Sequence, residues 1–154
     1  MGTSSEAPCT TNAKVLVVDD DGGMRELLLI ALRRHGWQTE GAADGRDALA
    51  QLGQQRFDVV VTDIQMPGMD GLALLRAIRS LPQPMPVVVQ TTLLDPMLER
   101  LLVQAGAARV LMKGCPIGDL IRTVAEASAT SDPAPARAGR RPQNNGEEKS
   151  WAGG

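Results

Sequence analysis

Two rhythms of apolar residues alternate along this chain. Short aliphatic runs, such as KVLVV at 14–18 and VVV at 59–61, are separated by stretches in which apolar residues recur every three or four positions. The runs predict strands buried on both faces, and the recurrences predict amphipathic helices. The first strand, 14–18, runs into Asp19, Asp20 and Asp21, and Gly22 and Gly23 break it. A helix over 24–35 follows, with Met24, Leu27, Leu28, Ala31 and Leu32 as its inner face. Gly36 stops it after Arg33, Arg34 and His35, three cations suited to the negative end of a helix dipole. A weaker edge strand covers 37–42, and a second helix covers 44–52 with Ala48, Leu49 and Leu52 inward.

The stretch FDVVVTDIQMPGMDG at 57–71 predicts a third strand over 58–62 that ends in Asp63, then a turn containing Pro67, Gly68 and Gly71. The third helix is 71–79, with Leu72, Leu75 and Ile78 on one stripe. LPQPMP at 81–86 is a loop, since its prolines exclude either regular element. The fourth strand, 87–90, leads to Thr91 and Thr92. Asp95 caps a fourth helix with Pro96 at its first position, running to 104 before Gly106. The fifth strand, 110–112, ends at Lys113, and the fifth helix runs from 116 or 117 to 127. Five strand–helix units with short links define an α/β fold: a doubly wound parallel sheet with helices on both faces.

Composition narrows the class. The chain has 154 residues and is 43% apolar, enough for the core of one domain. With one Phe, two Trp and no Tyr, that core must be aliphatic. A net charge of -2 gives no general argument for nucleic acid or membrane. Cys9 and Cys115 suggest neither a disulfide framework nor a zinc site. No signal peptide or membrane-length apolar run is present, so the expected location is cytoplasmic. Residues 1–12 read as a disordered leader, 13–129 as the folded domain and 130–154 as a disordered tail. Arg137, Arg140 and Arg141 in the tail precede Glu147 and Glu148 without interleaved aromatics, so no direct nucleic-acid contact is expected.

The strand ends carry the chemistry. In a parallel sheet the ends bearing Asp19, Asp20, Asp63, Thr91 and Lys113 face one edge, where ligands of such sheets bind. Converging carboxylates repel unless a cation neutralises them, and an all-oxygen set favours Mg²⁺, with Mn²⁺ as an alternative. Lys113 and Thr91 add a charge and a donor, which makes a small anion site suited to a phosphoryl group. No GxxxxGK[ST] loop holds a nucleotide. The nucleophile is then an aspartate, best assigned to Asp63, with Asp19 and Asp20 as metal ligands. Asp21 reads as a helix cap, His35 as a helix-end residue and Cys115 as incidental.

VLVVDDD at 15–21, VVVTDIQMPGMDG at 59–71, Thr91 after VVVQ and Lys113 after AGAARVLM together resemble the receiver domain of two-component response regulators, CheY-like. The resemblance implies a five-stranded sheet in the order 2-1-3-4-5. It implies Mg²⁺ held by Asp20, Asp63 and the backbone carbonyl of Gln65, with Asp19 helping mainly through a water. It implies phosphorylation of Asp63 by a histidine kinase or phosphotransfer protein, with Thr91 and Lys113 contacting the phosphoryl oxygens. It also implies autodephosphorylation, without turnover of an external substrate. Three positions depart from the family pattern: Gly114 stands where Pro is usual, Val110 where an aromatic switch residue is common, and Thr92 where a small residue is common.

The leading function is a phosphorylation-dependent switch of protein–protein interactions. Its alternatives are a phosphorelay intermediate or phosphate sink, a degenerate receiver serving as a binding or dimerisation module, and a small aspartate-nucleophile hydrolase. The fourth helix, with Met97, Leu98, Leu101, Leu102 and Val103, reads first as thickly buried. Its alternative is a target or self-dimer surface formed with the fifth strand and fifth helix. No output domain follows, so the chain is a stand-alone receiver or part of something longer.

Overall fold

In the computed structural model, which describes residues 13–93 and 95–129, five strands build a sheet, the central three from β-branched runs, and each strand is followed by a helix. The order is β1 (Lys14–Val18), α1 (Gly22–Arg34), β2 (Gln38–Ala42), α2 (Gly45–Gln54), β3 (Val59–Asp63), α3 (Gly71–Arg79), β4 (Val87–Thr91), α4 (Pro96–Gln104), β5 (Arg109–Met112) and α5 (Ile117–Ala129). The five strands are parallel, in the order β2-β1-β3-β4-β5, as the resemblance implied. The expected leader and tail lie outside the described residues. Among the described residues, no helix is long and apolar enough to cross a membrane.

The pleat divides the core in two. Val15, Val17, Val59, Val61 and Val88 face α1 and α5, joined by Leu28, Leu32, Leu120 and Val124. Leu16, Val18, Val60, Val87 and Val89 face the other side, joined by Leu74, Leu75, Ile78 and Leu102. Alternation of neighbouring residues between faces is the ordinary geometry of a strand. Both faces of the central strands β1, β3 and β4 are covered, so these three carry unbroken apolar runs.

Several local readings change. The helix α1 starts at Gly22, not at 24, because Asp21 caps it by accepting from the N–H groups of Gly23 and Met24. The two glycines thus form the first turn of the helix. Leu29 is buried and Leu27 is 51% exposed, the reverse of the expected inner face. The stripe centres on Leu28 and Leu32, and at about 100° per residue Leu29 lies nearer that centre than Leu27 does. Trp37 is not in β2; its N–H instead bonds to Leu32 O. Asp63 and Thr91 are the last residues of their strands and not the first beyond them. The expected thick burial of α4 is wrong: Leu102 is its one fully buried residue among those described, while Met97, Leu101 and Val103 are exposed. α4 packs beside β5, the edge strand of the sheet, and these exposed residues face solvent.

Candidate functional site

Pleat parity aims the polar strand ends. Asp63 follows Val59 and Val61 at steps of two, and Asp19 follows Val15 and Val17. Both side chains therefore fall on the α1/α5 side of the sheet edge. Both are nearly buried, at 5% and 1% exposure. Asp20, one residue on, is exposed at the rim. Carboxylate oxygens of Asp19, Asp20 and Asp63 all lie within 4.8 Å of one another.

Lys113, just past β5, reaches across this cluster. Its Nζ donates to Asp63 Oδ2 at 2.7 Å and lies 3.1 Å from Asp19 Oδ2. Of the two Asp19 oxygens, the ammonium is aligned for a hydrogen bond only toward Oδ1, at 3.4 Å. Asp19 Oδ2 is thus buried with a charge nearby but no donor pointed at it. Burial works against the Lys113 charge, yet the hydrogen bonds to Asp63 and Asp19 and their negative charges outweigh it and raise the lysine above its ordinary value. The backbone N–H of Lys113 donates to Thr91 O at 2.7 Å, which ties the two strand ends together.

The remaining ends are fixed by local chemistry. Gln65 N–H donates to Asp63 Oδ1 at 3.3 Å, and the Gln65 side chain is exposed. Asp21 N–H donates to Asp19 Oδ1 at 2.9 Å. Behind Asp63, Gly71 begins α3 so close to the strand end that an added Cβ would sit 2.2 Å from Asp63 O. Any side chain there would push the helix off the site.

Thr91 stands apart from the cluster. It falls on the opposite pleat parity, with Val87 and Val89. Its hydroxyl donates to Leu93 O and accepts from Leu93 N–H, both at 3.2 Å. The structure brings together Asp19, Asp20, Asp63 and Lys113, sets the Gln65 backbone against Asp63, and leaves Thr91 bound to its own loop. Thr92 is exposed beside it. Cys115 packs into the core on the α5 side, where burial and Asp119 push its thiol up, so it offers no ready thiolate.

One residue of the site was missed in the sequence. Arg25 in α1 donates from Nη1 to the backbone carbonyl of Asp19 at 2.6 Å. A signal existed: a cation so near a helix N-terminus opposes the dipole, and α1 has no acid in its first turn.

The donor set fits a hard divalent cation. It offers only oxygens, it clusters negative charge, and it contains a buried carboxylate oxygen with no donor. Asp63 combines a carboxylate at a sheet's carboxyl edge with a neighbouring ammonium, as a phosphoacceptor requires. Comparison with known proteins agrees. Residues 15–125 match the response regulator receiver domain family. Among curated relatives, response regulator MprA of Mycolicibacterium vanbaalenii is 39% identical over 109 residues, which are 70% of this chain and 47% of that protein. The DNA-binding response regulator MtrA of Mycobacterium bovis is 33% identical over 127 residues, 82% of this chain and 55% of that protein. The chain thus spans about half the length of the curated relatives it matches. Among solved structures, the Vibrio cholerae chemotaxis protein CheY4 superposes with a TM-score of 0.71 at 34% identity, covering 76% of this chain and 99% of that one. The receiver domain of Francisella response regulator 1452 gives 0.73 at 30% identity, covering 77% and 98%. The fold and acidic edge define a receiver-type domain. The chain belongs to the CheY-like receiver domains of two-component response regulators.

Proposed function

We propose that residues 13–129 form a receiver that accepts a phosphoryl group on Asp63 from the phosphohistidine of a kinase or phosphotransfer protein. One observation carries the reading: Asp63 lies among Asp19 and Asp20, with Lys113 Nζ 2.7 Å from its Oδ2. An Asp63 carboxylate oxygen attacks phosphorus, an O–P bond forms, and the P–N bond to the donor imidazole breaks. The freed imidazole nitrogen takes up a proton. Asp20, Asp63 and the Gln65 carbonyl would hold Mg²⁺, or Mn²⁺ in its place, with Asp19 acting through a water. When bound, the cation neutralises the carboxylates and the charge on the phosphoryl oxygens. Lys113, already at Asp63 Oδ2, follows that charge onto a phosphoryl oxygen. Thr91 reaches the phosphoryl group only after releasing Leu93, so its hydroxyl couples the site to the loop before α4. Hydrolysis by water returns the carboxylate and inorganic phosphate. A cytoplasmic location belongs to the same reading.

The product state is a switch of protein–protein interactions. Met97 and Leu101 on α4 and Met112 on β5 are exposed, which supports this side of the sheet, with α5, as the target or self-dimer surface. A second reading, relay intermediate or phosphate sink, is favoured by Val110, which packs against the core where an aromatic switch would stand. Incubation with a histidine-phosphorylated kinase tests the chemistry. Label is expected on the wild type and not on Asp63→Asn; label retained on Asp63→Asn would refute the assignment.

A further inference from the structure

Asp19 and Asp21, on either side of Asp20, are each held by several hydrogen bonds. Asp19 N–H donates to Ala42 O at 3.1 Å, and Asp19 Oδ1 accepts from Asp21 N–H. Asp21 O accepts from Arg25 N–H at 2.9 Å, and the Asp21 carboxylate caps α1. The carbonyl of Asp19 is held by a side chain alone, the Arg25 guanidinium at 2.6 Å. The stem of that arginine lies over Gly41 of β2, where an added Cβ would come 3.1 Å from Arg25 Cδ. A side chain at 41 would crowd the stem, so β2 leaves room for the arginine.

A peptide unit is planar, so fixing the Asp19 carbonyl fixes the plane that leads into Asp20. The Asp20 side chain is exposed and, among the described residues, is the one carboxylate of the cluster that no hydrogen bond orients. Its direction is therefore inherited from the backbone. We propose that Arg25 is a positioning residue: by gripping the Asp19 carbonyl it aims the Asp20 carboxylate at the cation site. This inference rests on the divalent-cation reading above. The contact also places a second cation, besides Lys113, against the acidic segment, which limits its self-repulsion before metal binds.

The test is calorimetric titration of the whole chain with Mg²⁺ alone, alongside urea unfolding without Mg²⁺. Arg25→Met keeps an apolar stem over Gly41 but removes the donor, and its Mg²⁺ affinity is expected to fall about tenfold, as when a ligand-orienting partner is lost. Arg25→Lys, which restores a donor, is expected to recover most of that loss. Leu29→Ala loosens the same helix against β2 without touching the Asp19 carbonyl, and its affinity is expected to match the wild type. Wild-type binding with equal binding by Arg25→Met would overturn the inference, as would an equal loss in Leu29→Ala. Absence of Mg²⁺ binding by the wild type would overturn the cation reading itself, and this inference with it.

Discussion

Lys113 Nζ sits 2.7 Å from Asp63 Oδ2, and among the described residues no other acidic side chain comes as close to it. Side chains 50 residues apart meet because β4 places one strand between theirs and the lysine reaches across it. The pairing gives the folded protein a preference for charged lysine. Stability from this source is fully present below the ordinary lysine value of 10.5 and is lost as pH rises through the higher folded value. Urea unfolding of wild type and Lys113→Met across alkaline pH should show a wild-type advantage that is flat below 10.5 and shrinks above it. An advantage independent of pH would contradict the ion pairing.

Asp20 should separate metal binding from folding. Exposed and crowded by Asp19 and Asp63, it adds repulsion to the metal-free protein. Asp20→Asn is expected to unfold at no lower temperature than wild type without Mg²⁺. The rise that Mg²⁺ gives the wild type, a consequence of binding only the folded state, should disappear. Thermal melts with and without the cation read both effects.

Gly71→Ala should act through backbone crowding. Its φ is not in the left-handed region, but its Cβ would meet Asp63 O and Ile64 Cα at 2.2 and 2.6 Å. A loss of about 1–3 kcal/mol is expected in urea unfolding, the usual cost of overpacking. Phosphorylation of Asp63 should slow as well, because the atoms displaced belong to the end of its own strand.

Thr92 and Gln65 are exposed, one residue past Thr91 and two past Asp63. We propose that they restrict attacking water and so set the lifetime of the aspartyl phosphate. Loss of phosphate should be faster in Thr92→Ala and Gln65→Ala than in wild type. Unchanged rates in both variants would remove this role.

Much of the fold was legible because the elements announce themselves. The α3 boundaries, and those of α4 with its Asp95 cap and Pro96 start, fall where the sequence places them. The acids and Lys113 were legible as strand ends, and a parallel sheet must bring such ends to one edge. Elsewhere competing local signals misled. Gly22 and Gly23 look like breakers until Asp21 supplies a cap. The α4 helix carries more apolar residues than the sheet edge can cover, so periodicity alone could not say which stay exposed. The Thr91–Leu93 hydrogen bonds depend on loop geometry, which no spacing encodes. Arg25 was hidden because its partner is a backbone carbonyl rather than an acid.

The central claim is that Asp63 is the phosphoacceptor. Its most direct test is intact mass after incubation with a small phosphoryl donor and Mg²⁺, for wild type and Asp63→Ala. Gain of one phosphoryl group by the wild type, absent from Asp63→Ala and from wild type kept in excess chelator, is the predicted result. No adduct on a wild type that binds Mg²⁺, or an equal adduct on Asp63→Ala, would contradict it.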